Sequence, residues 1–227
     1  MVDSSHKAAP VIAIDGPTAS GKGTVAGLVA KQLGFYYLDS GAIYRVLGVA
    51  AQGAGLSIDI PEHHAPLVNL AANMPVSFVG EQVVLNGQDV SGAIRTEQAG
   101  VLASRMAVDP QIRAALLQRQ RNFRQPPGLV ADGRDMGSVV FPDAILKVFL
   151  TASAQVRAER RVKQIEGRGQ RADFDAIYQD LLARDKRDTE RAVAPLKPCD
   201  DAKVLDCSDI GVDQVVQTIL KWALQAL

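Results

Sequence analysis

The sequence predicts an α/β chain built on a parallel sheet, with a short antiparallel segment inserted into it. Three observations predict this. The apolar run Val11–Asp15 leads through the glycine-rich turn Gly16–Thr24 into a helical pattern. Apolar runs and helical patterns then alternate, as they do when parallel strands are joined by crossover helices. Residues 56–95 break that alternation with two short runs flanking Gly80-Glu81, the mark of a hairpin.

The elements follow in order. After the first strand, Val25, Leu28, Val29 and Leu33 recur at helical spacing, and Gly34 suits the residue just past the helix end. Phe35–Leu38 reads as a second strand. Ser40 is placed to cap the next helix, which carries Tyr44 and Arg45, and Gly53 and Gly55 close it. Inside the insert, a helix near 61–73 precedes the runs Pro75–Val79 and Gln82–Leu85, and Asn86-Gly87 is a second turn signal. Helices resume over Arg95–Val108 and 111–124, the latter ended by Pro126-Pro127-Gly128. Leu129–Ala131 and Ile145–Leu150 are the third and fourth core strands. Ser153 starts an arginine-rich helix, a polar stretch over Glu166–Gln170 separates it from a helix near 173–191, and Val204–Asp206 is a last strand. The C-terminal helix places Val215, Val216, Ile219, Trp222, Ala223 and Leu227 on one face, which makes Trp222 a core residue.

Composition narrows the function classes. The chain has 227 residues, enough for one α/β domain with an insert. Lys plus Arg and Asp plus Glu number 25 each, so bulk nucleic-acid binding and polybasic membrane contact are disfavoured. Cys199 and Cys207 form neither a metal motif nor a disulfide framework and read as reduced thiols. Met1–Pro10 is short and polar, and no stretch of about 20 apolar residues occurs. A cytoplasmic protein with frayed residues 1–9 is expected.

The chemistry concentrates in a few groups. Strand, glycine-rich turn, lysine and helix, in that order over Gly16-Pro17-Thr18-Ala19-Ser20-Gly21-Lys22-Gly23-Thr24, make a phosphate-binding loop; a plain turn is the alternative. Backbone N–H groups and the helix N-terminus converge on an anion, and Lys22 adds a mobile charge. Ser or Thr ordinarily follows the lysine; here Gly23 intervenes and the hydroxyl falls at Thr24. A phosphate contact by Thr24 is therefore at least as well supported as metal ligation. Asp132, at a strand end near the loop, can hold Mg²⁺ directly or through water, or serve as a turn residue. Arg157, Arg160 and Arg161 crowd one helix face, a repulsion of about 0.2–0.5 kcal/mol per pair that a bound anion would relieve. Glu159 and Glu166 offer partial compensation, which leaves a solvated basic face as the other reading. On the next helix, Arg184, Asp188 and Arg191 share a face, with Asp185 and Asp188 able to fix the arginines. Arg157–Arg191 holds ten basic and eight acidic residues, which suits placed charges rather than a diffuse field. A phosphate loop, separate arginines and one aspartate meet the needs of phosphoryl transfer, with a mobile cover at Glu166–Arg171 to exclude water. His6, His63 and His64 show no catalytic pattern, and the adjacent pair reads as surface.

Several blocks together resemble the bacterial cytidylate kinases (CMP kinases) of the long type, a family of P-loop nucleoside monophosphate kinases. They are Ile14–Pro17 with Gly21–Thr24, Leu38–Arg45, Asp89–Ser91 with Ile94–Thr96, Ala131–Gly137, and Arg191–Leu196. They span nearly the whole chain. The resemblance implies a P-loop NTPase three-layer fold, with a core five-stranded parallel sheet over 10–55, 96–155 and 195–227. It also implies a monophosphate-binding insert at about 56–95 and a lid at about 156–190, all in one kinase domain. It implies MgATP-dependent phosphorylation of CMP and dCMP to CDP and dCDP by in-line transfer, by a monomer. By position, Ser40, Arg45, Ser104, Arg113, Arg134, Asp135, Arg184, Asp188 and Arg191 would line the monophosphate site. Arg157 and Arg161 would lie nearer ATP, and Lys22, Asp132, Arg134, Arg157, Arg184 and Arg191 would carry catalysis. Asp135 facing the N4 amino group would reject uracil, which has a carbonyl there, while Ser104 and Arg113 could satisfy O2 or N3. A P-loop kinase acting on UMP or a sugar acid would not explain Asp135 with Ser104. A GTP-binding switch would ordinarily need Asn-Lys-x-Asp, and no Asn here precedes Lys.

Overall fold

The computed structural model describes residues 8–79 and 82–227. The Gly80-Glu81 turn, His6 and most of the segment expected to fray lie outside them. Ala9 is not frayed: its carbonyl accepts from Arg124 Nε at 2.7 Å.

The described chain falls into two compact units. The first takes the chain up to Leu38, Asn122–Glu190 and Ala194–Leu227. Its sheet has five strands, β1 (Val11–Asp15), β2 (Tyr36–Asp39), β6 (Leu129–Gly133), β7 (Leu146–Thr151) and β8 (Lys203–Asp206), in the order β2-β6-β1-β7-β8. β1 runs parallel to β6 and β7, and β7 parallel to β8. All five residues of β1 are buried, as a central strand covered on both faces requires. Helices α1 (Lys22–Leu33) and α8 (Val212–Ala226) supply Val25, Val29, Val215, Val216 and Ile219 to the core around Ile12, Ile14 and Val148. Trp222 packs against this core as expected, half-buried and with Lys203 Nζ 4.9 Å from its ring centre. Leu227 departs from expectation: it lies beyond the end of α8 and is exposed. The long helices α6 (Ala154–Glu166) and α7 (Phe174–Glu190) pack on each other. Ser153 caps α6 by accepting from Val156 N–H at 3.3 Å.

The second unit, Asp39–Arg121 with Arg191–Val193, is larger than the insert expected over 56–95. It takes in α2 (Ser40–Gly53), α3 (His64–Asn73), α4 (Glu97–Met106) and α5 (Pro110–Arg121) around the strands β3 (Val76–Val79), β4 (Gln82–Leu85) and β5 (Gln88–Asp89). The reason is packing: α2 lies on α4 and α3 on α5, burying Ile43, Leu47, Leu67, Ala103, Ile112 and Leu116 together. The three strands are antiparallel, and Asn86 and Gly87 are both left-handed at φ 50 and 79, as a tight hairpin turn needs.

Helix ends needed correction. Asp39, not Ser40, caps α2: its Oδ1 accepts from Ala42 N–H at 2.9 Å, and Ser40 is the first helical residue. Thr96 caps α4, which starts two residues later than expected. α5 ends at Arg121, ahead of Pro126. His63 and His64 are half-buried and engaged: His63 Nδ1 accepts from Ser57 N–H at 3.0 Å, and His64 Nε2 lies 2.7 Å from Asp109 Oδ2.

Candidate active site

In the first unit, Gly16–Thr24 joins the end of β1 to the start of α1. Gly16 is required sterically, since a Cβ there would lie 2.0 Å from the Leu150 carbonyl oxygen. Ala19 sits in the left-handed region at φ 61, an unfavourable setting for a residue with a Cβ. Lys22 is buried, and its Nζ donates to the Pro17 carbonyl at 3.1 Å. The ammonium is thus folded over the loop rather than extended into solvent.

Arginines hold this loop. Arg134 donates to Thr18 Oγ1 and, through Nε, to Asp188 Oδ2 at 2.8 Å. Arg157 donates to the Thr18 and Ala152 carbonyls at 3.1 and 3.0 Å and grips both carboxylate oxygens of Asp185. Arg160 donates to the Ser20 carbonyl at 3.2 Å and to the Cys207 carbonyl, and Cys207 Sγ donates to Ser20 O at 3.3 Å. The carbonyls of Thr18 and Ser20 are thereby engaged by donors and do not repel an anion. The buried Ser20 hydroxyl has no hydrogen-bond partner among the described residues. An orphaned hydroxyl of this kind costs about 1–3 kcal/mol unless a ligand satisfies it. Arg184 and Asp188 share the buried stripe of α7 with Leu181, but Arg191 lies beyond the end of that helix, in the second unit. Arg161 is half-buried and donates to Gln164.

Asp132 and Asp135 follow on β6 and its exit, both buried. Asp132 Oδ2 accepts from the Tyr37 hydroxyl at 2.7 Å. Asp135 opens a wide turn over Met136–Val140, in which the N–H groups of Val140 and Phe141 return to carbonyls five residues back, those of Asp135 and Met136. That turn is anchored by Asp15, which accepts from Met136 and Gly137 N–H at 2.8 and 2.9 Å. Among the described residues, no group of three or more His, Cys, Asp or Glu could form a metal cage. The donor set still suits Mg²⁺, which keeps water and phosphate oxygens and needs only one or two carboxylates. Asp132, buried at the end of β6, is a carboxylate of that kind and would serve as one such ligand, whereas Thr24 is exposed on the first turn of α1.

Burial pushes the Asp15 carboxyl up from 3.8 to about 6, against the two N–H bonds and Lys22, and with help from Asp135. The folded state therefore holds this proton more tightly than the unfolded chain. Its contribution to stability is full below pH 3.8 and is lost as pH rises through about 6. Asp15→Asn removes that proton, so the unfolding free-energy advantage of the wild type over the variant should fall by about 3 kcal/mol across this window. Urea titrations at several pH values measure it, and a pH-independent difference contradicts it.

In the second unit, Ser40 Oγ donates to Gln120 Oε1 at 2.8 Å, both buried. Arg45 donates to the Ile94 and Thr96 carbonyls at 2.9 and 3.1 Å, which ties α2 to the segment before α4. Arg113 is buried and donates to the Ala107 carbonyl at 3.2 Å. Ser104 lies on the buried face of α4, and its hydroxyl has no hydrogen-bond partner among the described residues. It is the second orphaned hydroxyl at a position the sequence assigned to ligand binding.

Sequence reasoning missed Asp15, Tyr37, Gln120 and a role for Arg160. Asp15 carried the signal used for Asp132, an aspartate ending a buried strand. Tyr37 and Gln120 carried none, because their partners are 95 and 80 residues away.

Known proteins resemble this chain along its length. The cytidylate kinase of Polynucleobacter necessarius is 55% identical over 94% of this chain and 98% of its own. That of Pseudomonas aeruginosa is 53% identical over 94% and 95%. A solved structure of an uncharacterized protein from Eubacterium ventriosum covers 94% of this chain and 97% of its own at TM-score 0.52 and 15% identity, a likeness of fold alone. The family model described as cytidylate kinase matches residues 12–225, which takes in the loop, Asp132, Asp135 and every arginine above. On that match and those relatives, the chain belongs to the cytidylate kinase family.

Proposed function

We propose that this chain, a phosphotransferase of the nucleoside monophosphate kinase type, phosphorylates CMP and dCMP with MgATP by direct in-line transfer. The observation that carries the reading is the loop Gly16–Thr24, with buried Lys22 folded over it, in a chain of this family. The loop N–H groups and Lys22 hold the donor phosphates. Asp132 would hold Mg²⁺, which would neutralise phosphate charge when bound. Arg157 acts on the donor side through Thr18, while Arg161 is the lid arginine nearer ATP. Arg134 and Arg184, with Asp188 fixing Arg134, balance charge on the transferring group. Ser40, Arg45 and Arg191 hold the acceptor phosphate, and Ser104, Arg113 and Asp135 read cytosine. The buried Ser104 hydroxyl supports its part in this, since a base edge would satisfy it. Segment 156–190 acts as the lid that keeps water from the donor. No described helix is long and apolar enough to cross a membrane; the proposed enzyme is a cytoplasmic monomer.

A coupled assay with ATP, magnesium chloride and a panel of monophosphates tests the reading. CMP and dCMP should give diphosphates well ahead of UMP. Asp135→Ala should lower the CMP to UMP ratio of kcat/KM by about 5–150-fold, the worth of about 1–3 kcal/mol for one lost base contact. No diphosphate from CMP overturns the function, and an unchanged ratio removes Asp135 from base reading.

A further inference from the structure

Gly23 stands where a phosphate loop of this kind ordinarily carries a hydroxyl. The fold supplies a reason. A Cβ built at Gly23 would lie 3.2 Å from Asp132 Oδ2 and 3.4 Å from the Tyr37 hydroxyl. Those two groups are hydrogen-bonded to each other at 2.7 Å. A phenol and a carboxylate thus occupy the space into which a residue-23 side chain would project. They come from neighbouring strands, Tyr37 from the sheet edge β2 and Asp132 from β6. Tyr37 is 38% exposed, yet its hydroxyl reaches a carboxylate that is 4% exposed. Apolar burial of the ring therefore does not account for this tyrosine; the hydroxyl does.

We propose that Tyr37 is a positioning residue: its hydroxyl holds the Asp132 carboxylate over Gly23 and orients it toward a magnesium-bound nucleotide. The inference rests on the reading of Asp132 as the carboxylate that faces the metal. The physical reason is orientation. A carboxylate at a strand end can rotate, and a charge-assisted O–H···O⁻ bond on Oδ2 fixes it and directs its other oxygen. Partners that orient a metal-binding group in this way typically control affinity by about 10–100-fold.

The test compares binding of ADP in magnesium chloride with binding of ADP in EDTA, by calorimetry on the full chain. In Tyr37→Phe the gain in affinity that magnesium brings should fall about tenfold. Half-maximal activity should need correspondingly more magnesium, with KM for CMP at saturating magnesium unchanged. Asp132→Asn should abolish the same gain. Gly23→Ser adds a second readout: it should reduce the gain in the wild type by crowding the pair, and partly restore it in Tyr37→Phe by offering a replacement hydroxyl. If Tyr37→Phe keeps the full gain while Asp132→Asn loses it, the proposal fails and the reading of Asp132 stands. If Asp132→Asn keeps the gain, that reading fails and the proposal with it. Equal damage by Gly23→Ser in both backgrounds also overturns the proposal.

Discussion

Lys22→Met is expected to lower kcat by about 10²–10³-fold while the protein stays folded. Met keeps the length and apolar character of the stem, so the buried course of the side chain is preserved. What goes is one positive charge and its bond to the Pro17 carbonyl at 3.1 Å. That bond is surrendered easily, because Lys22 is on the first turn of α1 and the loop is also held by Arg134, Arg157 and Arg160. In the proposed reaction that charge faces the donor phosphates as their charge shifts during transfer, beside the contributions of Arg134 and Arg184. Removing a preorganised electrostatic donor from such a place raises the barrier by about 2.7–4 kcal/mol. Steady-state kinetics with ATP and CMP, beside circular dichroism of the variant, measures this. A variant with native spectrum and unchanged kcat contradicts the assignment of Lys22 to the reaction.

Arg157→Ala should produce the largest loss of stability among the site residues. Its side chain is 5% exposed and pairs with Asp185, itself 22% exposed. It also satisfies two backbone carbonyls. Truncation leaves a mostly buried carboxylate and those carbonyls unpartnered at once. Breaking a buried pair in this way costs about 3–5 kcal/mol, and the partial exposure of Asp185 places the effect at the lower end. For a chain of this size the lower end corresponds to a fall in melting temperature of about 6–12 °C. ADP binding should weaken as well, because Thr18 loses one of the two guanidinium groups that hold it. Thermal unfolding with and without ADP gives both quantities. A change below about 1 kcal/mol, the value of a solvent-screened surface pair, would show that burial of Arg157 does not govern its energetics.

Much of the architecture was legible in the residues, for reasons that can be named. The loop at Gly16–Thr24 is written in consecutive positions, because one turn must bring a strand end to a helix start. The elements α1, α2, α6 and α7 were readable from apolar and charged spacing, because helix faces repeat every three or four residues. The boundaries were less so. Asp39 and Ser40 are adjacent and both can cap a helix; burial of Ser40 against Gln120 decided between them. Arg157 and Arg161 looked equivalent at i and i+4. Packing of α6 on α7 buried the first against Asp185 and left the second half-exposed.

By itself the amino-acid sequence determined the alternation of strands and helices, the phosphate loop, the hairpin-bearing insert and the types of residue available for phosphoryl transfer. All of these rest on neighbours within a few positions, and local spacing encodes them. Tertiary structure alone decided which groups meet: Asp15 with Met136 and Gly137, Tyr37 with Asp132 over Gly23, Arg134 with Thr18 and Asp188, Arg160 with Ser20 and Cys207. Those pairs join segments far apart in the chain. They exist because the strand order β2-β6-β1-β7-β8 brings separate strand ends to one loop, an order that local spacing does not encode.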